Sequence, residues 1–536
     1  MALAAARPVT TTRSHAIVHT DPTRLTLNAG EHVHRFHGGL RLRHNKKISC
    51  TEPVCRPPIP GLLTIPLQQH IGEEVRPIVQ AGEYVLKGQL IGACESGQGN
   101  AIHAPTSGYI REIGNRAISQ ASGLPGLCVI LEPDYQDRWC DLQPLRDWQE
   151  TDSEALIQAI RAAGIVGLGG AVFPTHRKTE IGNRADVHTL ILNGAECEPY
   201  ISCDEMLMRE CPQQLIAGAG ILQKAVGAQS VVIAIEDQMG AVQKALEAAI
   251  KKSASLNISL VKIPSIYPEG GERQLIQILT GQEVPARGFP ADIGMICQNV
   301  ATAVAVSAAV LEGKPLIERY VTVTGNGIAS PRNHLALIGT PIKHLVEHSG
   351  GYAPNAARIV VGGPMMGFSL PSDDQPVVKA SNCILVMTRE DITPSQPEMP
   401  CIRCGECARV CPAQLLPQEL YWQIKNGQWE DAESDKLAAC IECGCCDLIC
   451  PSHIPLVEWF RFGKGEIREL SEQRIIAGHA RTRHQARDER LSRLKQYRLE
   501  RIARRKRQLQ DNAEQKKRIA AAIERAAQKK HEASSE

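Results

Sequence analysis

Two copies of one cysteine arrangement constrain this chain more than any other feature of its sequence. They are Cys401, Cys404, Cys407 and Cys411-Pro412, then Cys440, Cys443, Cys446 and Cys450-Pro451. Each copy reads C-x2-C-x2-C-x3-C-P. Cysteines at intervals of three let a tightly curled backbone aim three thiolates at three corners of one iron-sulfur cube, while its amide hydrogens turn toward the cluster sulfurs. The fourth thiolate faces away. Structural zinc also takes four thiolates, but as two C-x2-C pairs separated by a longer loop, so this doubled spacing argues against it. Cys445 lies between two of these cysteines, faces differently from both and is read as a neighbour, not a ligand. Between the motifs, residues 417–437 carry apolar side chains at helical spacing and two acid-rich turns, which makes the connection helical.

The doubled motif resembles that of two-cluster ferredoxins, where the fourth cysteine of each run ligates the other cluster. The resemblance implies one [4Fe-4S] cluster on Cys401, Cys404, Cys407 and Cys450, and a second on Cys440, Cys443, Cys446 and Cys411. The two clusters would be neighbours able to pass an electron, in a helical dicluster ferredoxin domain at 396–460.

Length and composition fix the setting. A chain of 536 residues with 43% apolar content has room for roughly three to five compact units with real cores. Nineteen cysteines, an odd number whose densest group has cluster spacing, point to a reducing, cytoplasmic compartment and away from a disulfide scaffold. The start, MALAAARPVTTTRSHA, lacks the continuous apolar core of a signal peptide, so 1–30 reads as an N-terminal arm. The most apolar long window, 293–311, is built mostly from Ala and Val. Gln298, Asn299, Thr302 and Ser307 interrupt it, which predicts a buried helix rather than a bilayer span.

Residues 36–129 alternate short β-rich runs with Gly and Pro, the pattern of a small antiparallel sandwich, and the domain is set at 31–150. Its pairing of AGEYVLKGQLIG with HAPTSGYI resembles the barrel-sandwich fold of biotinyl and lipoyl carriers. The hairpin tip at 95–100 (ESGQGN) has no lysine to modify, so a structural or docking module is expected. From 151 to 316 strands and helices alternate. Strands are expected at 188–193, 230–236 and 257–263, with helices at 205–226 and 239–251, which implies a parallel, Rossmann-like sheet. Such sheets bind ligands beyond the carboxyl ends of their strands. Three loops suit that position: Gly167, Gly169, Gly170 and Phe173 with Lys178; Asn193, Glu196 and Glu198; and Gly270 with Glu272. Glycines admit a phosphate or flat ring to the backbone, Lys178 adds positive charge, and Asn193 can hydrogen-bond a heterocycle or ribityl chain. The Gly-rich loop alone is weak evidence, since tight turns also need glycine.

At these residues the chain resembles the NADH-oxidising subunit of respiratory complex I. The Gly-Gly-Ala-x-Phe-Pro-Thr run with its lysine is similar to that family's FMN and NADH loop. Asn193, Glu196 and Glu198 match its Asn-Ala-Asp-Glu-Gly-Glu-Pro segment, and Asn299 and Thr302 resemble its flavin-phosphate segment. Ala195, Cys197, Gly271 and Val172 depart from the pattern, so the resemblance supports FMN better than a particular NADH pose.

Residues 317–370 resemble the β-grasp (SLBB-like) module that follows the flavin domain in the same families, with 371–395 read as a linker. His334, His344 and His348 read as surface or turn histidines, since no cysteine or paired acid lies at ligand spacing. The tail, 461–536, is helical and basic, with apolar residues too sparse for a heptad seam. From Arg481 on it holds eighteen Lys/Arg against eight Asp/Glu, a net +10 against −8 for the remainder. Without interleaved aromatics it suits an anionic membrane surface or an acidic partner better than nucleic acid.

The whole order, a multidomain α/β chain, resembles the RnfC family of the Rnf (Rsx) ion-translocating electron-transport complex. The resemblance implies a peripheral subunit on the cytoplasmic side of the bacterial inner membrane, bound to integral-membrane and other subunits. It would join NAD(H) to a ferredoxin-like carrier through FMN and two [4Fe-4S] clusters, the flavin turning a two-electron current into single steps. Two other readings fit the same order: a soluble flavin and iron-sulfur cobalamin reductase, and a relay or scaffold subunit with an empty flavin pocket.

Overall fold

A computed structural model describes residues 33–96, 99–253, 256–286, 288–394 and 396–532. The arm at 1–30 lies outside the described residues, as do Gly97 and Gln98 of the hairpin tip. The chain divides into a body that ends at Arg461 and a unit from Phe462 on.

The first module of the body is an antiparallel sandwich. One sheet runs Leu63–Pro66, Pro125–Pro133, Gly108–Ala117, Tyr84–Val85, and the other holds Val75–Pro77, Leu90–Cys94 and Ile102–His103. Alternating side chains such as Leu63, Ile65, Ile91, Ile110, Val129 and Leu131 fill the space between them. The 33–62 segment does not belong to this sandwich, although the sequence grouped most of it there. It straps the body together: His34 N donates to Ile278 O, Gly39 N to Val410 O, and Leu40 exchanges backbone bonds with Tyr267.

The second module carries a four-stranded, all-parallel sheet in the order Ile258–Ile263, Ser230–Glu236, Thr189–Gly194, Met295–Asn299. The two central strands read TLILNG and SVVIAIE and are buried on both faces, as parallel strands sheathed by helices must be. The predicted helix at 205–226 is broken into Cys203–Glu210 and Pro212–Val226, because Pro212 can start a helix but not continue one. The window 293–311, expected as one buried helix, divides into the strand Met295–Asn299 and the helix Val300–Glu312. Asn299 makes the division: its side chain accepts from Ala301 N and caps the helix.

The third module is a five-stranded sheet in the order Arg332–Leu337, Glu318–Thr324, Cys383–Thr388, Ala356–Val361, Phe368–Leu370. The stretch 371–395 is therefore not a linker: Cys383–Thr388 is the middle strand, parallel to Glu318–Thr324 and almost wholly buried. Its short apolar run carries no alternation to mark it. His334 is likewise buried, not superficial, with Nε2 2.8 Å from Ser349 Oγ.

The cysteine-rich segment is helical as expected, with Pro417–Lys425 and Trp429–Ser434 between the motifs. The last helix is Leu456–Glu532, whose described side chains beyond 470 are exposed. Among the described residues no helix is long and apolar enough to cross a membrane.

Candidate functional site

The parallel sheet is ordered third, second, first, fourth along the chain, so connections leave in opposite directions from Thr189–Gly194 and Met295–Asn299. The carboxyl ends of those two strands border the crevice where sheets of this kind take their ligands. Asn193 and Asn299 lie side by side there in the strand register. Asn193 Nδ2 donates to Gly270 O (2.8 Å) while Oδ1 accepts from Ala195 N, which ties two of the three loops together. The third arrives through Leu168 N, which donates to the buried Thr302 hydroxyl at 2.9 Å. A Cβ on Gly169 would stand 3.4 Å from the Asn299 side chain. Gly170, at φ +105°, faces open space, beside the half-exposed Phe173.

Lys178 pairs with Glu272, the first residue of the helix Glu272–Thr280. Asn299 Nδ2 also donates to Asp204 Oδ2 at 2.6 Å, which brings into the crevice an acid that the sequence did not single out. Asp204 sits in the first turn of a helix, where an acid is ordinary.

Two expected residues are engaged elsewhere. Glu196 accepts from Asp204 N and Glu205 N and so caps the helix Cys203–Glu210; burial raises its carboxyl to about 8. Glu198 reaches the third module, accepting from Met365 N and Met366 N, and burial raises it to about 7. A Cβ on Gly363 would overlap Glu198 Oε2, so that glycine makes room for the carboxylate. Gly167, Gly270 and Gly271 serve local packing: a Cβ on Gly270 would meet Ala195 O at 2.7 Å.

The two cysteine loops have one backbone. Arg403 and Glu442 are left-handed (φ 56° and 58°), as are Gly405 and Gly444 (75° and 77°) and Gln414 and His453 (55° and 52°). Each loop then enters a five-residue helix, Glu406–Val410 or Cys445–Ile449. Left- and right-handed residues in alternation turn successive N–H groups into a concave nest suited to an anionic cluster. A cavity at the first loop is lined by Cys401, Cys404, Cys407 and also by Cys450, the last cysteine of the other loop. Cys411 in turn faces the second set, near enough to Cys443 and Cys446 for their charges to raise one another. Four thiols around each of two centres are the donor set a [4Fe-4S] cube requires. The sets differ in exposure: Cys404 is exposed, whereas Cys411, Cys443 and Cys446 are buried. The buried set is also the one tied to the parallel-sheet module. Tyr267 OH donates to Cys443 O at 2.7 Å and Gln274 Nε2 to Pro412 O at 3.4 Å. Cys445 is buried beside Cys443.

Three family models match these modules: the RnfC barrel sandwich hybrid domain at 34–136, the Nuo51 FMN-binding domain at 160–308 and the SLBB domain at 320–369. The RnfC-type subunit of the ion-translocating oxidoreductase complex of Yersinia pestis is 46% identical over 460 residues, covering 86% of this chain and 74% of that protein. This chain belongs to the RnfC family. The corresponding subunit of Pseudomonas aeruginosa is 45% identical over 461 residues, again 86% of this chain, but the chain spans only 59% of that relative's length. Among solved structures, an NAD+-reducing [NiFe]-hydrogenase in the H2-reduced state aligns over 57% of this chain and 61% of its own, with 20% identity and TM-score 0.43. In this member of the RnfC family the crevice falls inside the FMN-binding match, and the cysteine loops lie beyond all three matched stretches.

Proposed function

We propose that this chain is the peripheral electron-transfer subunit of an ion-translocating oxidoreductase complex, moving electrons between NAD(H) and a ferredoxin-like partner through FMN and two [4Fe-4S] clusters. The observation that carries the reading is the crossing of the cysteine loops, with Cys450 closing the cavity of Cys401, Cys404 and Cys407. Bound FMN supplies the conversion between paired and single electrons. Gly169 and Gly170 leave its ring space, and the N-terminus of Val300–Glu312 with Thr302 offers amide hydrogens to a phosphate. Lys178 adds a positive charge that Glu272 holds in place. Tyr267 and Gln274 hold the buried cysteine set against the flavin module. The relay order follows from burial: crevice, the set with Cys440, Cys443, Cys446 and Cys411, the set with Cys401, Cys404, Cys407 and Cys450, then the partner at exposed Cys404.

A second reading has its own support. Glu196, Glu198 and Lys178 all have partners within the protein, as a relay subunit with an empty pocket would allow. Cofactor extraction from anaerobically purified protein separates the two. One FMN and eight irons per chain are expected, and eight irons without flavin favour the empty pocket. Zinc in a colourless preparation would sink both.

A further inference from the structure

Behind the crevice lies a buried acid pair that electron transfer alone does not require. The carboxyl oxygens of Glu196 and Asp204 lie within 4.8 Å of one another and of Cys203 Sγ. Asp204 is the member that meets the crevice, through its 2.6 Å bond from Asn299. Glu196 is the deeper one, 7% exposed, accepting from Asp204 N at 2.9 Å and Cys203 Sγ at 3.3 Å.

Charges converge on the pair from every side. Lys46, 4% exposed, donates to the Glu196 carbonyl and, at 3.0 Å, to the fully buried Glu236. Arg319, 3% exposed, approaches from the strand Glu318–Thr324 and acts on Cys203 and Asp204. Glu205 lies next to Asp204 in the same helix. The thiols of Cys50, Cys203 and Cys383 also sense Glu196, and burial pushes all three up. Two carboxylates this close, shielded from water and short of counter-charge, cannot both stay ionised. Burial accordingly raises Glu196 to about 8 and raises Asp204 as well.

We propose that Glu196 and Asp204 share one proton at the back of the crevice and exchange it with the two-electron carrier bound there. The exchange rests on the flavin reading above, whereas the shared proton does not. The balance is simple. A hydride from a nicotinamide dinucleotide brings two electrons and one proton to the flavin. The second proton leaves the pair as its O–H bond breaks, and both carboxylates are then charged opposite Lys46 and Arg319. When the two electrons depart singly for the clusters, one proton returns to the pair and the other goes to solvent.

The test has two readouts on the full-length, cluster-loaded chain. Infrared spectra at pH 7 should contain a protonated-carboxyl C=O band that disappears in Glu196→Gln or Asp204→Asn. Asp204→Asn leaves the Glu196 cap in place, so it remains informative if the other variant folds poorly. Stopped-flow reduction of bound FMN by NADH should slow on the alkaline side of about pH 8. Both variants should lose that limb while still binding FMN. A pair with no acid band at pH 7 is only an ionised helix cap, and an unchanged alkaline limb in both variants removes the proton exchange. An acid band in protein that binds no FMN overturns the flavin reading and the exchange with it, and supports the shared proton.

Discussion

Lys379 carries the clearest single-residue consequence of the packing. It is about 1% exposed, and its amino group donates to Ala101 O (3.2 Å) in the sandwich and Gly164 O (2.7 Å) in the flavin module, with burial lowering it to about 7. In the unfolded chain it holds its proton to about pH 10.4. Between those values the unfolded state binds more protons, so stability rises with pH from 7 to 10 and is lost as pH falls back toward 7. Lys379→Met should remove this dependence: relative to the native chain it gains up to about 5 kcal/mol on going from pH 10 to 7. Denaturant melts of both proteins at several pH values give the difference directly, and parallel curves would mean that the amine stays charged. Nothing in SLPSDDQPVVKAS marks this lysine as buried. The same holds for Lys46, Asp204 and Tyr267, whose surroundings come from residues more than a hundred positions away or from one unremarkable helical turn. The cysteine ligand sets, by contrast, were legible because their chemistry is written in local spacing.

Elements were legible where a local pattern sets them. The strands at 189–194, 230–236 and 258–263 are continuous apolar runs of ordinary length, while Cys383–Thr388 hid because a lone apolar run says nothing about its pairing. The two cysteine loops, thirty-nine residues apart, share their dihedral angles but not their surroundings. A Cβ at Gly405 meets nothing within 4 Å, whereas one at Gly444 would stand 2.9 Å from Met365 O. Gly405→Ala should therefore cost only its left-handed strain, about 1–2 kcal/mol. Gly444→Ala adds a clash with backbone of the third module and should cost about 1–3 kcal/mol more. Iron retention during a thermal ramp compares them, with earlier loss expected for Gly444→Ala. Equal losses would mean that the 365 loop gives way freely.

At the scale of the whole chain, the order of modules was readable and the seams between them were not, because the 33–62 strap and the Glu198 bond to the 365 loop join segments far apart in sequence. Charge partition was readable too, and it has a consequence for the last helix. Arg483, Arg487, Arg490 and Arg493 line one side of Leu456–Glu532 together with Tyr497, at the three- and four-residue steps that place side chains on one helical face. Exposed apolar residues such as Leu491 and Leu494 are too few to insert deeply, so attraction to a surface must be mainly ionic. Each such cation contributes about 1 kcal/mol at an anionic membrane, and four on one face give about 4 kcal/mol before screening. At ~0.5 M salt the Debye length falls to roughly 4 Å, and most of that attraction goes. The full chain should therefore sediment with phosphatidylglycerol-rich vesicles at low salt and leave them at ~0.5 M. It should ignore neutral vesicles, and a chain lacking 481–536 should bind neither kind. Binding that survives high salt, or that persists without 481–536, would assign membrane attachment to apolar contacts or to the body and leave the basic face for an acidic protein partner.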